Sequence, residues 1–190
     1  MGLILGLDVS TSCTGWCILD KSGTLIDIGV IVLGKKSGLY KKAEAVKCTL
    51  MDLLIRHQIQ DVYIEENLQA FRPGLSSAKT LSILARFNGM VSLLCYEVFD
   101  SEPEHLNVNA ARKSLGIKLI RKKHGGKPTK HQIFEWVSDQ VELERPGYQW
   151  PMKILKSGPR KGEEILDFIT YDMTDAYVIA RAALVQTFEQ

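Results

Sequence analysis

An α/β fold is what this sequence predicts: a mixed five-stranded sheet, three antiparallel strands followed by parallel ones, flanked by helices. Three observations predict it. Two apolar segments at the start of the chain are folded back by polar turns, one at Ser10-Thr11-Ser12 with Gly15 and one at Asp20-Lys21-Ser22-Gly23, which makes three consecutive hairpin-linked strands. Beyond residue 38, stretches with apolar residues at helical spacing alternate with short strand-like runs, the pattern of crossover connections within one sheet. At 190 residues and 45% hydrophobic content, the chain has the size and apolar share of one domain with a real core.

Residues 3–7 are apolar on both alternating faces, as in a strand buried from both sides, and Asp8 ends that run. A carboxylate there is costly unless it is paired, hydrogen-bonded or bound to a cation, which makes Asp8 a candidate functional residue. The plain alternative is a hairpin whose aspartate binds only turn amides. Residues 16–19 form the returning strand and residues 24–33, rich in Ile, Val and Leu, the third. Leu39, Ala43, Val46, Leu50, Leu53 and Leu54 mark a helix through about residue 58. A fourth strand at 61–65 then runs parallel to an earlier one by the crossover rule, and pairing with the first brings Glu65 close to Asp8.

After a loop holding Phe71, Arg72 and Pro73, a long helix starts at Ser76 or Ser77 as N-cap and carries Leu81, Leu84, Val91, Leu94 and Val98. Its apolar and small residues, Ala85 and Gly89 among them, spread beyond one stripe, so it either lies buried on the sheet or also meets a second subunit. Residues 105–109 read as the fifth strand and 110–115 as a short helix ended by Gly116. Pro128-Thr129 opens another helix, with Thr129 and Gln132 at capping-box spacing and Ile133, Trp136 and Val137 facing inward. Residues 143–170 show no period and hold Pro146, Gly147, Trp150, Pro151, Gly158 and Pro159, so they are expected to be a loop insertion within a single domain of residues 1–190. Residues 172–188 close the chain as a helix, with Asp172 and Asp175 on one face of its first turn.

No apolar run approaches a membrane span, and the N-terminus lacks the basic region and long apolar stretch of a signal peptide, so an intracellular, cytoplasmic location is expected. Cys13, Cys17, Cys48 and Cys95 have no paired spacing and no histidines in ligand register, which favours buried thiols over a zinc site or disulfides. The net charge of +2 says little, but its distribution says more. Lys118, Arg121, Lys122, Lys123, Lys127 and Lys130 fall in a stretch without an acid, and residues 153–161 add four more basic side chains. Such blocks are solvated surface in many proteins; two in one small chain favour a polyanionic partner.

Asp8, Glu65 or Glu66, and the pair Asp172 and Asp175 stand at the ends of three separated elements. Oxygen ligands without histidine or thiolate favour Mg2+ or Mn2+, and two such ions can support phosphodiester cleavage. The order βββαβαβα resembles the ribonuclease H-like fold, and the segments LILGLDVSTSCTGWCIL, VYIEENLQAF, LNVNAARKSLG and DMTDAYVIARAAL resemble the RuvC family of Holliday junction resolvases across nearly the whole chain. That resemblance implies an endonuclease that cuts branched DNA, above all four-way junctions, as a homodimer with two Mg2+ or Mn2+ ions per site. It places Asp8, Glu65, Asp172 and Asp175 as the catalytic, metal-holding acids, with Glu66 on the position after the motif glutamate. Strand alternation agrees with Glu65, because Tyr63 and Glu65 share one face and Val62 and Ile64 the other. Phe71, Arg72, Lys113, Arg121, Lys122, Lys123, Lys127 and Lys130 are the DNA-binding candidates.

The chain departs from the family pattern in two places. Bacterial members carry an aromatic residue shortly after the glutamate; Leu68 stands there, and Phe71, three residues later, is the candidate substitute. The segment from residue 142 to 170 is longer than the bacterial pattern and fits the divergent phage or viral members. Other readings remain open on sequence grounds: a debranching nuclease acting on flaps, forks and three-way junctions, an idle DNA-binding protein of the same fold, and an actin-like or Hsp70-like ATPase or sugar kinase, whose phosphate hairpin the turn after Asp8 also resembles.

Overall fold

The computed structural model of the chain describes residues 2–66 and 77–187, so the loop candidates Phe71 and Arg72 lie outside the described residues. Five strands build the main sheet in the order β3-β2-β1-β4-β5. They are β1 (Leu3–Val9), β2 (Cys13–Leu19), β3 (Leu25–Val32), β4 (Ile59–Glu65) and β5 (Glu104–Leu106). β1 pairs antiparallel with β2 and β2 with β3, while β4 runs parallel to β1 and β5 parallel to β4. The central strand β1 therefore has neighbours on both edges and cover on both faces, which is why its apolar residues do not alternate with polar ones.

Alternation sorts the strand residues into two cores. Leu5 and Leu7 of β1, Ile18 of β2, and Val62 and Ile64 of β4 face α1 (Leu39–Arg56) and α2 (Ala78–Phe99). Ile4, Cys17, Leu19 and Tyr63 point the other way, toward α5 (Ile169–Thr187), with α3 (Val108–Ser114) and α4 (Thr129–Glu144) beside it. α5 is buried on every side from Met173 to Ala180. Its backbone lies directly on the sheet because Gly6 and Gly15 leave no side chain in the way. A Cβ at Gly6 would stand 2.6 Å from the Ala176 carbonyl oxygen, and one at Gly15 only 1.9 Å from that of Asp172.

Several sequence-based expectations change in detail. The fifth strand spans only three residues, because Asn107 caps α3 by accepting from the Asn109 and Ala110 amides and so turns residue 108 into a helix start. The capping box at Thr129 and Gln132 does not form; Thr129 is inside α4, and the Gln132 amide instead bridges to the loop before it. α5 begins three residues earlier than expected, which leaves Asp172 in its first turn and sets Asp175 deeper in. Of the cysteines, Cys17 and Cys95 are buried, but Cys48 is exposed and Cys13 half-buried. α2, 22 residues long with an 18-residue stretch of mean hydropathy 1.2, passes for a membrane span by length and composition only, and it packs Phe87, Asn88, Val91, Cys95 and Phe99 inward. Residues 143–170 contain a small antiparallel ribbon, β6 (Met152–Ile154) with β7 (Glu164–Leu166).

Candidate active site

Asp8 is the next-to-last residue of β1 and sits opposite Gly15 on β2. On the other edge Leu7 pairs with Ile64, so the following residues Asp8 and Glu65 are neighbours at the open ends of two parallel strands. Both continue the rows that face α5, after Ile4 on β1 and Tyr63 on β4. Because Gly15 admits the Asp172 backbone, α5 brings Asp172 and Asp175 down onto the same strand ends. The three elements thus deliver four carboxyl groups to one place.

The electrostatics follow from that placement. Asp8 is held well above the ordinary aspartate value of 3.8, first by burial and then by the charges of Glu65, Asp175 and Asp172. Burial, followed by Asp175, raises Glu65 above 4.5, while a hydrogen bond with Asp8 and the cations Arg112 and Lys130 hold it back. Burial also raises Asp175, against the opposing pull of Arg112 and Lys130. Asp8 thus carries the combined repulsion of the three other acids.

Two cations answer that charge from inside the protein. Arg112 on α3 donates from Nη2 to Asp175 Oδ1 at 3.1 Å, with side-chain exposures of 17% and 7%. Its Nε is buried without a hydrogen-bond partner among the described residues. Lys130 in the first turn of α4 reaches Asp172 Oδ1 at 3.4 Å. Burial works against the charge on Lys130, but Asp172, Asp175 and Asp8 outweigh it and raise its pKa. The Cys13 thiol donates to Asp172 Oδ2, and burial together with that bond pushes it up to about 12.

Among the described residues, no three His, Cys, Asp or Glu side chains are assembled as a cation cage; Asp172 and Asp175 turn to their protein partners instead. The donor set still fits a hard divalent cation in kind, since Asp8, Glu65 and Asp175, each with raised proton affinity, gain from added positive charge.

Glu66 lies apart from the cluster, accepting from Asn107 Nδ2 at 3.2 Å, and Asn88 Nδ2 holds the Glu65 backbone oxygen at 3.2 Å. Lys113, Arg121, Lys122 and Lys123 are exposed, the last two in a single 3-10 turn. Lys127 is paired with Glu135, an acid that α4 brings to a stretch that lacks one in sequence. Lys130 belongs to the acidic site itself. Trp150 is packed edge-on against Phe134 and Tyr148. Sequence reasoning missed Arg112 and Cys13. Arg112 falls within the quoted segment LNVNAARKSLG, but only the packing of α3 on α5 gives it a partner.

The sheet order and the acidic strand ends define the class, a ribonuclease H-like domain with a carboxylate cluster where helix and sheet meet. No family model matches the chain. It is 31% identical over 134 residues to the crossover junction endodeoxyribonuclease RuvC of Aliarcobacter butzleri, covering 68% of this chain and 77% of the relative. The fold is similar to that of Thermus thermophilus RuvC in complex with Holliday junction substrate, with a TM-score of 0.63 and 15% identity over 99% of this chain and 96% of the other. It is also similar to the yeast mitochondrial Holliday junction resolvase, with a TM-score of 0.56 and 18% identity over 97% and 80%. The chain belongs to the RuvC family of crossover junction endodeoxyribonucleases.

Proposed function

We propose that this chain is a metal-dependent, structure-selective endodeoxyribonuclease that resolves Holliday junctions by paired nicks. The observation that carries the reading is the convergence of Asp8, Glu65, Asp172 and Asp175 on one open strand end, each of Asp8, Glu65 and Asp175 with raised proton affinity. These four would hold two divalent ions, Mg2+ or Mn2+, which when bound supply Lewis acidity to the scissile phosphate. Asp8, which feels the charges of all three other acids, would contribute to holding both ions. Lys130, 57% exposed beside Asp172, is free to turn toward a phosphate once the carboxylates have other cations. Arg112, nearly enclosed, keeps Asp175 oriented.

Duplex DNA would approach over the exposed Lys113 of α3 and over the exposed Arg121, Lys122 and Lys123, whose loop is fastened to α4 by Gln132 through the Ile120 amide and carbonyl and the Lys127 carbonyl. Two symmetric cuts need two symmetric sites, so the working form is a homodimer built on α2, where Leu93 and Tyr96 are 57% and 52% exposed. The length of residues 143–170 favours a divergent phage or viral branch of the family, acting in the cytoplasm of the host. Asp8→Asn tests the assignment: it abolishes nicking of a four-way junction in Mg2+ while leaving junction binding intact or stronger. A variant that still cuts removes Asp8 from the chemistry.

A further inference from the structure

The β6–β7 ribbon forms a sheet of its own, separate from the main one. With three residues in each strand it has little stability alone, and it is secured at its base. The Asp167 amide donates to the Pro151 carbonyl at 2.9 Å, and Thr170 Oγ1 to the same oxygen at 3.3 Å. Lys153 pairs with Asp167 at 3.6 Å and places its ammonium 3.7 Å from the centre of the Phe168 ring. Behind this base, Trp150 donates to Ser138 on α4 at 3.2 Å. The base is thus built onto α4 and α5, two residues of chain before Asp172.

The free end has another character. Residues 155–162 carry Lys156, Arg160 and Lys161, all exposed, and no carboxylate. Arg160 is paired with Glu163 at 2.6 Å, whereas neither Lys156 nor Lys161 makes an ion pair among the described residues. Ile154, the last residue of β6 before this tip, is 63% exposed. Glu164 is the one further acid on the ribbon, opposite Ile154 at the tip end of β7.

We propose that this ribbon is a second DNA-gripping element, its cationic tip seated on the phosphates of a duplex arm next to the cleavage site. The proposal rests on the junction-nuclease reading above. A two-stranded ribbon fits the major groove, and unpaired cations near the exposed Ile154 suit a phosphate and sugar surface. Anchoring at Pro151 and Thr170 ties whatever the tip binds to the position of α5, and hence to Asp172.

The test uses the full chain carrying Asp8→Asn, so that binding is read without cleavage, alone and with Lys156→Ala, Arg160→Ala and Lys161→Ala added. Each is titrated against a four-way junction over a salt series and footprinted with hydroxyl radicals. The expected result for the triple variant is a loss of about tenfold in affinity, a salt slope smaller by about two to three, and loss of protection along an arm with the crossover still protected. A companion with Lys156→Arg and Lys161→Arg keeps the affinity. Equal affinity, slope and footprint overturn the ribbon proposal while the nuclease reading stands, and the tip then serves another partner. If neither protein binds the junction, both readings fall.

Discussion

Asp8 concentrates the strain of the whole site in one carboxyl group. Its folded pKa, and those of Glu65 and Asp175, lie above the ordinary values of 3.8 and 4.5, so between those values and the raised ones the folded chain binds more protons than the unfolded chain. Without divalent cations, stability therefore falls as pH rises from about 4 through the raised pKa values, and protonation at lower pH restores it. Thermal melts of the metal-free protein from pH 4 to 8 check this, and a melting temperature that climbs over that range contradicts it. For the same reason Asp8→Asn raises the melting temperature without Mg2+ and removes the rise that Mg2+ gives the parent. Asp8 and Glu65 were legible because strand alternation and the crossover rule placed them together. Arg112 and Cys13 were not, since a single arginine on a short helix and a lone cysteine carry no local pattern, and only contacts across more than 60 residues of chain give them their partners.

At the scale of elements, α5 reaches the site only because two glycines let it. Gly15→Ala sets a methyl group 1.9 Å from the Asp172 carbonyl oxygen, so helix and strand must part. The expected cost is about 1–3 kcal/mol or more of stability by urea unfolding, together with weaker Mg2+ binding, because the same shift withdraws Asp172 from Asp8. An unchanged unfolding midpoint would show that α5 can slide without loss. Gln132 offers a complementary case, in which Gln132→Ala frees the basic loop without touching the core. Junction affinity is expected to drop several-fold with a change in stability within about 1 kcal/mol. Helical spacing foretold α1, α2, α4 and α5 to within a few residues, and the misplaced boundaries have local causes: the Asn107 cap shortened β5, and Gln132 found backbone partners in the loop rather than at the cap. The ribbon escaped notice because three-residue strands are too short to show a period.

In the whole molecule, the direction of β4 follows from the connection rule and the two faces of the sheet from alternation, while the places of β4 beside β1 and of β5 beside β4 come from the structure. What the sequence left undecided about α2, burial on the sheet or a meeting with a second subunit, is answered on the inner face by Phe87, Val91, Cys95 and Phe99. The outer face keeps Leu93 and Tyr96 exposed for the proposed homodimer. Leu93→Glu with Tyr96→Glu is expected to convert a dimer to a monomer by light scattering at micromolar concentration; a parent chain that is already a monomer contradicts the proposed assembly. The most direct measurement of the central claim is a map of the nicks made on four-way, three-way, flap and linear duplex DNA with Mg2+, Mn2+ or neither ion. Paired, symmetric nicks confined to the four-way junction and dependent on a divalent ion are the predicted result, and scattered nicks on every branched form, or cutting that needs no metal, would contradict it.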